Sequence, residues 1–249
     1  METFRRSDQV LHYLGSRIVD GVLPPGTVLP KVEVFSQTHG VSRTVVREAL
    51  QGLEARGLVR STPKVGTKVR SHHEWQWWNH DVLLWAIESR HGREHLQELT
   101  EVRMALEPMA VALAAERAEE HELRDMQVAF EAMRHALGQD LAWSDADYEF
   151  HRRLIAGAHN LLLMSLVQGF RQALVRSRRT TIATLKREAG GDPLEASRRV
   201  LHYHGNVLSA VLARQPQAAA AAMAELLKAV EHLIVNSDEP PDSAAPPPR

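Results

Sequence analysis

Two residue pairs, each spaced four apart, carry the chemistry this sequence offers. The first is Asp147 and His151. At i and i+4 on a helix they share one face. Trp143, Leu154 and Ile155 lie on the same stripe, so that face points inward. A buried carboxylate needs a partner. The bare pattern fits a metal-ligand pair, an ordinary Asp–His hydrogen bond, or a helix cap beside a core histidine. The second pair is Arg43 and Arg47. Val45, Val46, Ala49 and Leu50 turn the other way, which leaves two forked donors facing outward. Such donors suit guanine edges or phosphates, and an isolated pair is equally an ordinary solvated basic face. Downstream, Lys64, Lys68 and the small Gly66 bring charge and close backbone approach to a turn-rich tip.

The elements that position these residues read as helix, helix, helix, hairpin, then helices alone. Val10, Leu11, Leu14, Ile18 and Val19 repeat at helical spacing behind the cap signal Ser7-Asp8, and Gly21 stops the run. A short helix is expected from Lys31 to Thr38, with His39-Gly40-Val41 as its tight exit. Ser42 caps the next helix, which runs to Arg56 and closes at Gly57. Leu58–Ser61 and Thr67–Arg70 read as two strands around Thr62-Pro63-Lys64-Val65-Gly66, a β-hairpin wing. His72 to Trp78 holds three tryptophans and two histidines, and reads as a linker or the start of a second domain. Helices follow over 80–89, 93–118, 120–137, 144–158, 160–188, 193–214 and 216–236, with no strand-like alternation. The expected fold is mostly α: a winged helix-turn-helix over 1–72 and an antiparallel helical bundle over 73–236. The tail 237–249, with five prolines, is expected to be disordered.

Composition fits this division. The 249 residues are 44% hydrophobic and 24% charged, the balance of a globular protein able to bury a core. Net charge is −1 overall, but residues 1–71 hold 11 Lys/Arg against 6 Asp/Glu, a net of +5, and the rest 19 against 25, a net of −6. A basic segment on an acidic body suggests a polyanion partner for the first segment alone. The chain has no cysteine, so disulfides and cysteine zinc fingers are excluded and any metal must use His, Asp, Glu or water. No 18-residue apolar run is present and the N-terminus lacks the apolar core of a signal peptide. The cytoplasm is therefore expected, with no membrane partner.

The segment Val41-Ser42-Arg43-Thr44-Val45-Val46-Arg47-Glu48-Ala49-Leu50, then Leu53, Gly57-Leu58-Val59 and Gly66-Thr67, resembles the winged-helix signature of GntR-family regulators. Leu23, Pro25-Gly26 and Leu29-Pro30 match as well. The resemblance implies that Ser42, Arg43, Thr44 and Arg47 meet DNA, with Lys64, Gly66 and Lys68 on a wing entering the minor groove. Relatives often carry a DNA-contacting arginine where this chain has Glu33. The stretch Asp147 to Asn160, with His204, Ala210 and Ala219, resembles the FCD ligand-binding domain of the FadR branch, which implies a divalent metal, zinc foremost with nickel or manganese as alternatives. By that resemblance Asp147, His151 and His204 are ligands. His204 sits on an apolar stripe with Val200, Val207, Leu208 and Val211, and His202 points nearly opposite. A further histidine expected from the family falls at Leu226, leaving three ligands and open positions. Arg103, on the first long helix of that domain, is placed to clamp an effector carboxylate, or to form a surface salt bridge. Trp75-Gln76-Trp77 and Asp81-Val82-Leu83-Leu84-Trp85 resemble regulators that answer sugar acids such as galactonate, or are interface packing.

The leading reading is a homodimeric repressor, not an enzyme. It binds a pseudo-palindromic double-stranded operator and is controlled by a small carboxylate near the metal. A bundle that only dimerises, and a metal-dependent hydrolase, are the alternatives. The hydrolase leaves the basic wing unexplained.

Overall fold

The structure is a computed structural model, and it describes residues 6–170, 173–177 and 193–236. It divides into two compact units, one running to Gly92 and the other from Arg93. The predicted disordered tail, 237–249, lies outside the described residues.

The first unit opens with α1 (Arg6–Val19), α2 (Val32–His39) and α3 (Arg43–Ala55). Gly40 ends α2 at φ 63°, and Ser42 then caps α3, its side chain accepting from the Val45 amide at 3.2 Å. Val46, Ala49 and Leu53 turn into the core against Val10, Leu14 and Ile18 of α1. Strands β1 (Val59–Thr62) and β2 (Gly66–Val69) pair antiparallel, with Val59 opposite Val69 and Thr62 opposite Gly66. Both lie within one residue of the expected strands. An isolated bridge from Val28 to Lys68 adds backbone support on the outer side of β2.

The segment after the hairpin differs from the expected linker or second-domain start. A 3-10 turn over His72–Glu74 leads into α4 (His80–Glu88), and Trp75 and α4 pack into the first unit. The reason is apolar area. Trp75, Val82, Trp85 and Ala86 are buried in the same cluster as α1 and α3. The Trp75 indole donates to the Arg70 carbonyl at 3.1 Å, and the Trp85 indole donates to His12 Nδ1 at 2.8 Å. Arg56 is ion-paired with Asp81, and Arg90 closes the end by donating to the Asp20 carbonyl at 2.9 Å. The boundary between compact units therefore falls twenty residues beyond the expected 72.

The second unit is helical throughout its described length: α5 (Gly92–Arg117), α6 (Glu120–His135), α7 (Asp140–Ala156), α8 (Leu161–Gly169), α9 (Pro193–Leu212) and α10 (Pro216–Val235). Helix α6 packs on α7, and α9 packs on both α10 and α6. Their shared core includes Val111, Met126, Phe150, Leu154, Val207, Met223 and Leu227. The single helix expected over 160–188 is interrupted. Helix α8 ends at Gly169, with Phe170 as its C-cap, before a helical stretch over 173–177, and 178–188 lie outside the described residues. Glycine has poor helix propensity, and an apolar run of this kind hides such a break.

Helices α1 and α4 touch at one point where a side chain has no room. A Cβ at Gly15 would lie 2.3 Å from the Trp85 ring. Propensity alone predicts that Gly15→Ala stabilises α1 by about 1 kcal/mol. Steric overlap with a buried indole predicts the opposite sign. The variant is expected to unfold at lower urea or temperature than wild type, as read by tryptophan fluorescence. A gain in stability would show that the indole moves aside freely.

Candidate nucleic-acid interface and candidate metal centre

The interface candidates gather on the first unit. With Val46 and Ala49 facing inward, Ser42, Arg43, Thr44 and Arg47 are all exposed on the first turns of α3. Their position at a helix N-terminus adds unpaired backbone N–H groups and a positive dipole end, both favourable to phosphate. Ser42 already spends its side-chain oxygen on the cap. Lys64 and Lys68 are exposed on the hairpin. The hairpin tip is a tight turn in which the Val65 amide donates to the Thr62 carbonyl at 3.2 Å. Pro63 precedes Lys64, which adopts φ 66°, and Gly66 follows at φ 103°. Pro then a left-handed residue is the pattern of a type II turn, whose third position favours glycine. A lysine there holds its charge at the tip despite the backbone cost. Glu33 is exposed on α2.

The second cluster lies wholly inside the bundle. Asp147 and His151 come from successive turns of α7, and His204 comes from α9. All three are buried, His204 to 1% and His151 to 2% exposure. Their ligand atoms lie within 4.8 Å of one another. His204 Nε2 is 2.9 Å from Asp147 Oδ1, and the two Nε2 atoms are 3.3 Å apart. Phe150 stands edge-on to both imidazoles, which keeps the surroundings apolar.

The far side of each ring fixes its tautomer. His204 Nδ1 is 2.8 Å from the Val200 carbonyl, which only accepts, so Nδ1 carries the proton. His151 Nδ1 is 2.7 Å from Glu107 Oε2, and the carboxylate likewise demands the proton at Nδ1. Neutral rings held this way turn two Nε2 lone pairs and a carboxylate oxygen toward one small space. That convergence requires something positive between them, either an added proton or a cation. Two imidazoles and a carboxylate, with one ring backed by a carboxylate and the other by a backbone carbonyl, is the donor set and outer shell of a divalent-metal site. The residues fit the ion.

Glu107 extends the cluster to α5. It is buried beside Arg103, which donates through Nε to Oε1 at 2.7 Å. Burial alone would raise the Glu107 carboxyl. The Arg103 charge, with the hydrogen bonds from His151 and Arg103, outweighs it and holds the carboxyl far below the usual carboxylate range. Arg103 thus belongs to the same buried network and is 5% exposed, unlike a surface salt bridge. Sequence reasoning placed Glu107 on this helix and gave it no role. The available signal was the Arg103/Glu107 spacing of four residues. His202 is exposed and lies near Asn206, off the ligand face. Leu226 is 1% exposed within the second unit's core and supplies no donor atom.

Comparison with known proteins agrees with both halves. Residues 6–69 match the bacterial regulatory proteins of the gntR family, and residues 98–229 match the FCD domain. The chain belongs to the GntR family, in the branch whose second domain is FCD. Members are transcriptional regulators: the winged helix binds operator DNA, the FCD domain takes a small-molecule effector, and some FCD domains hold a metal. The galactonate operon transcriptional repressor of Escherichia coli K12 is 30% identical over 165 residues, covering 66% of this chain and 72% of that one. The regulator LutR of Bacillus subtilis is 30% identical over 219 residues, covering 87% and 95%. A solved structure of Lar, which controls the agr system of Listeria monocytogenes, superposes with TM-score 0.64 at 18% identity, covering 94% of this chain and 99% of that one, and shares the fold. Among the described residues no helix is long and apolar enough to cross a membrane.

Removing the Glu107 charge leaves Arg103 buried against a neutral amide. Glu107→Gln is expected to cost about 3–5 kcal/mol, the usual loss when one partner of a buried ion pair is removed. Urea denaturation followed by circular dichroism measures it. A change below about 1 kcal/mol would mean the guanidinium reaches solvent in the folded protein.

Proposed function

We propose that this chain is a homodimeric repressor acting in the cytoplasm, whose operator affinity is set by a small carboxylate bound beside a divalent ion. One observation carries the reading: two imidazole Nε2 atoms and a carboxylate converge inside the FCD bundle, with both Nδ1 atoms already engaged. Asp147, His151 and His204 would hold the ion, with zinc the first expectation and nickel or manganese next. Bound there, the ion supplies a Lewis-acid contact for an effector oxygen. Arg103 fixes Glu107 and Glu107 fixes His151, and the guanidinium would offer a second charge to an effector carboxylate. A sugar acid is the favoured effector class, supported by the likeness to a galactonate operon repressor. Binding would select among arrangements of the protein that differ in operator affinity.

On DNA, Arg43, Thr44 and Arg47 would read the major groove from α3. Ser42 holds the helix start, and Lys64, Gly66 and Lys68 would enter the minor groove. Two copies on a pseudo-palindrome would place two such helices about one turn apart. A second reading, that the bundle only dimerises, draws on the apolar Leu226.

Fluorescence anisotropy on the native operator tests the DNA face. Arg43→Ala and Arg47→Ala are each expected to lose roughly 1–3 kcal/mol of binding free energy. Lys64→Ala and Lys68→Ala are expected to weaken binding across sequences and lower the salt slope by about one each. Unchanged affinity in both arginine variants would remove the assignment.

Elemental analysis after mild dialysis tests the metal. About one divalent ion per chain is expected in wild type, lost in His204→Ala. That variant should keep operator binding and lose its response to sugar acids, since the metal cluster lies wholly within the second compact unit. Full occupancy in an Asp147/His151/His204 triple alanine variant would overturn the site. A metal-free wild type that still answers its effector would also overturn it.

A further inference from the structure

A groove on the bundle uses none of these residues. It has a volume of about 680 Å³ and lies between α9 and α10, within the size range of small-molecule sites. Val200 and Tyr203 of α9 and Leu233 of α10 give it an apolar lining, and charged groups are set around it. Arg199 comes from α9, and Lys228 and His232 come from successive turns of α10. Glu225 is the one acid among the described lining residues. Among the described residues neither Arg199 nor Lys228 forms an ion pair, although the unit around them is acidic and rich in salt bridges. With Glu225 the only acid among the described lining residues, the two cations leave the groove net positive.

We propose that this groove is a second ligand site, for a compact carboxylate or phosphate anion, separate from the buried metal cluster. Arg199 supplies a planar fork for a carboxylate or phosphate group, and Lys228 supplies a point charge across the groove. The Tyr203 ring and Leu233 give an apolar surface for the body of the ligand. Two cations against one acid leave the described lining net positive, which favours an anion over a neutral sugar or a fatty chain. None of Arg103, Glu107, Asp147, His151 or His204 lines it. The groove nevertheless touches Val200, whose carbonyl holds the His204 ring. An occupant would rest on the helical turn that orients a metal-centre imidazole.

Calorimetric titration of the full chain tests this, with citrate and pyrophosphate as separate probes at matched ionic strength. Wild type is expected to bind at least one of them, and which one names the group that the fork prefers. Arg199→Ala/Lys228→Ala should weaken that binding by at least roughly tenfold, the loss of one charge-assisted hydrogen bond. His204→Ala should leave it within about twofold, which separates this groove from the metal cluster whether or not the metal reading survives. The substituted side chains are exposed, so unchanged circular dichroism is expected for the double variant. No binding of either probe to wild type would overturn the proposal. So would equal binding in the double variant, or loss of binding in a folded His204→Ala protein.

Discussion

A carboxylate placed in an apolar interior must be met by positive charge, and the second unit is arranged around two such carboxylates. Glu107 is answered by Arg103 on its own helix and by a histidine from α7. Asp147 faces Nε2 of a histidine from α9, which has no proton to give while Nδ1 holds it. With both rings neutral, the five groups carry one positive and two negative charges, a net of −1 with almost no water nearby. Such a cluster is poorly stable alone and well matched to a cation. The same requirement ties three helices together. Helix α5 brings the guanidinium and its acid, α7 an acid and an imidazole, and α9 the second imidazole. Chemistry and architecture are here one constraint.

The first unit obeys a different logic. The face that carries Arg43 and Arg47 is exposed and basic, and the scaffold beneath it holds those side chains in register. Rigidity comes from apolar packing of α1 and α3, and from a tryptophan-rich segment that wraps the same core. Three indole or guanidinium contacts then fasten that segment by hydrogen bonds to the backbone or side chains of earlier elements. The exposed arginines of α3 depend on this interior for their placement.

Much of this was legible in the sequence, because local rules govern it. The Ser42 cap, the inward Val46 and Ala49, and the outward Arg43 and Arg47 follow from helical spacing alone. The hairpin follows from its turn residues. Asp147 and His151 were readable as a pair for the same reason, and His204 as a polar residue on an apolar stripe. Their meeting was not readable from spacing, since 53 residues separate the two histidines. Family resemblance supplied that link. Glu107 stayed silent because its partner beyond Arg103 is 44 residues away. The tryptophan segment read as a linker or a domain start because its periodicity is short. What decides its place is the buried area it finds on α1, a tertiary fact. The break after Gly169 was lost in an apolar run whose pattern continues across it.

The contact between α1 and α4 has a consequence for how this chain can change over time. An indole occupies the volume in which residue 15 would otherwise carry a side chain. Each position is therefore locked only while the other keeps its size. A lineage that trades Trp85 for a smaller residue opens a hole that a larger residue at 15 can fill, and neither step is tolerated as well alone. The two sites are expected to drift as a coupled pair, seventy residues apart along the chain and adjacent in the core.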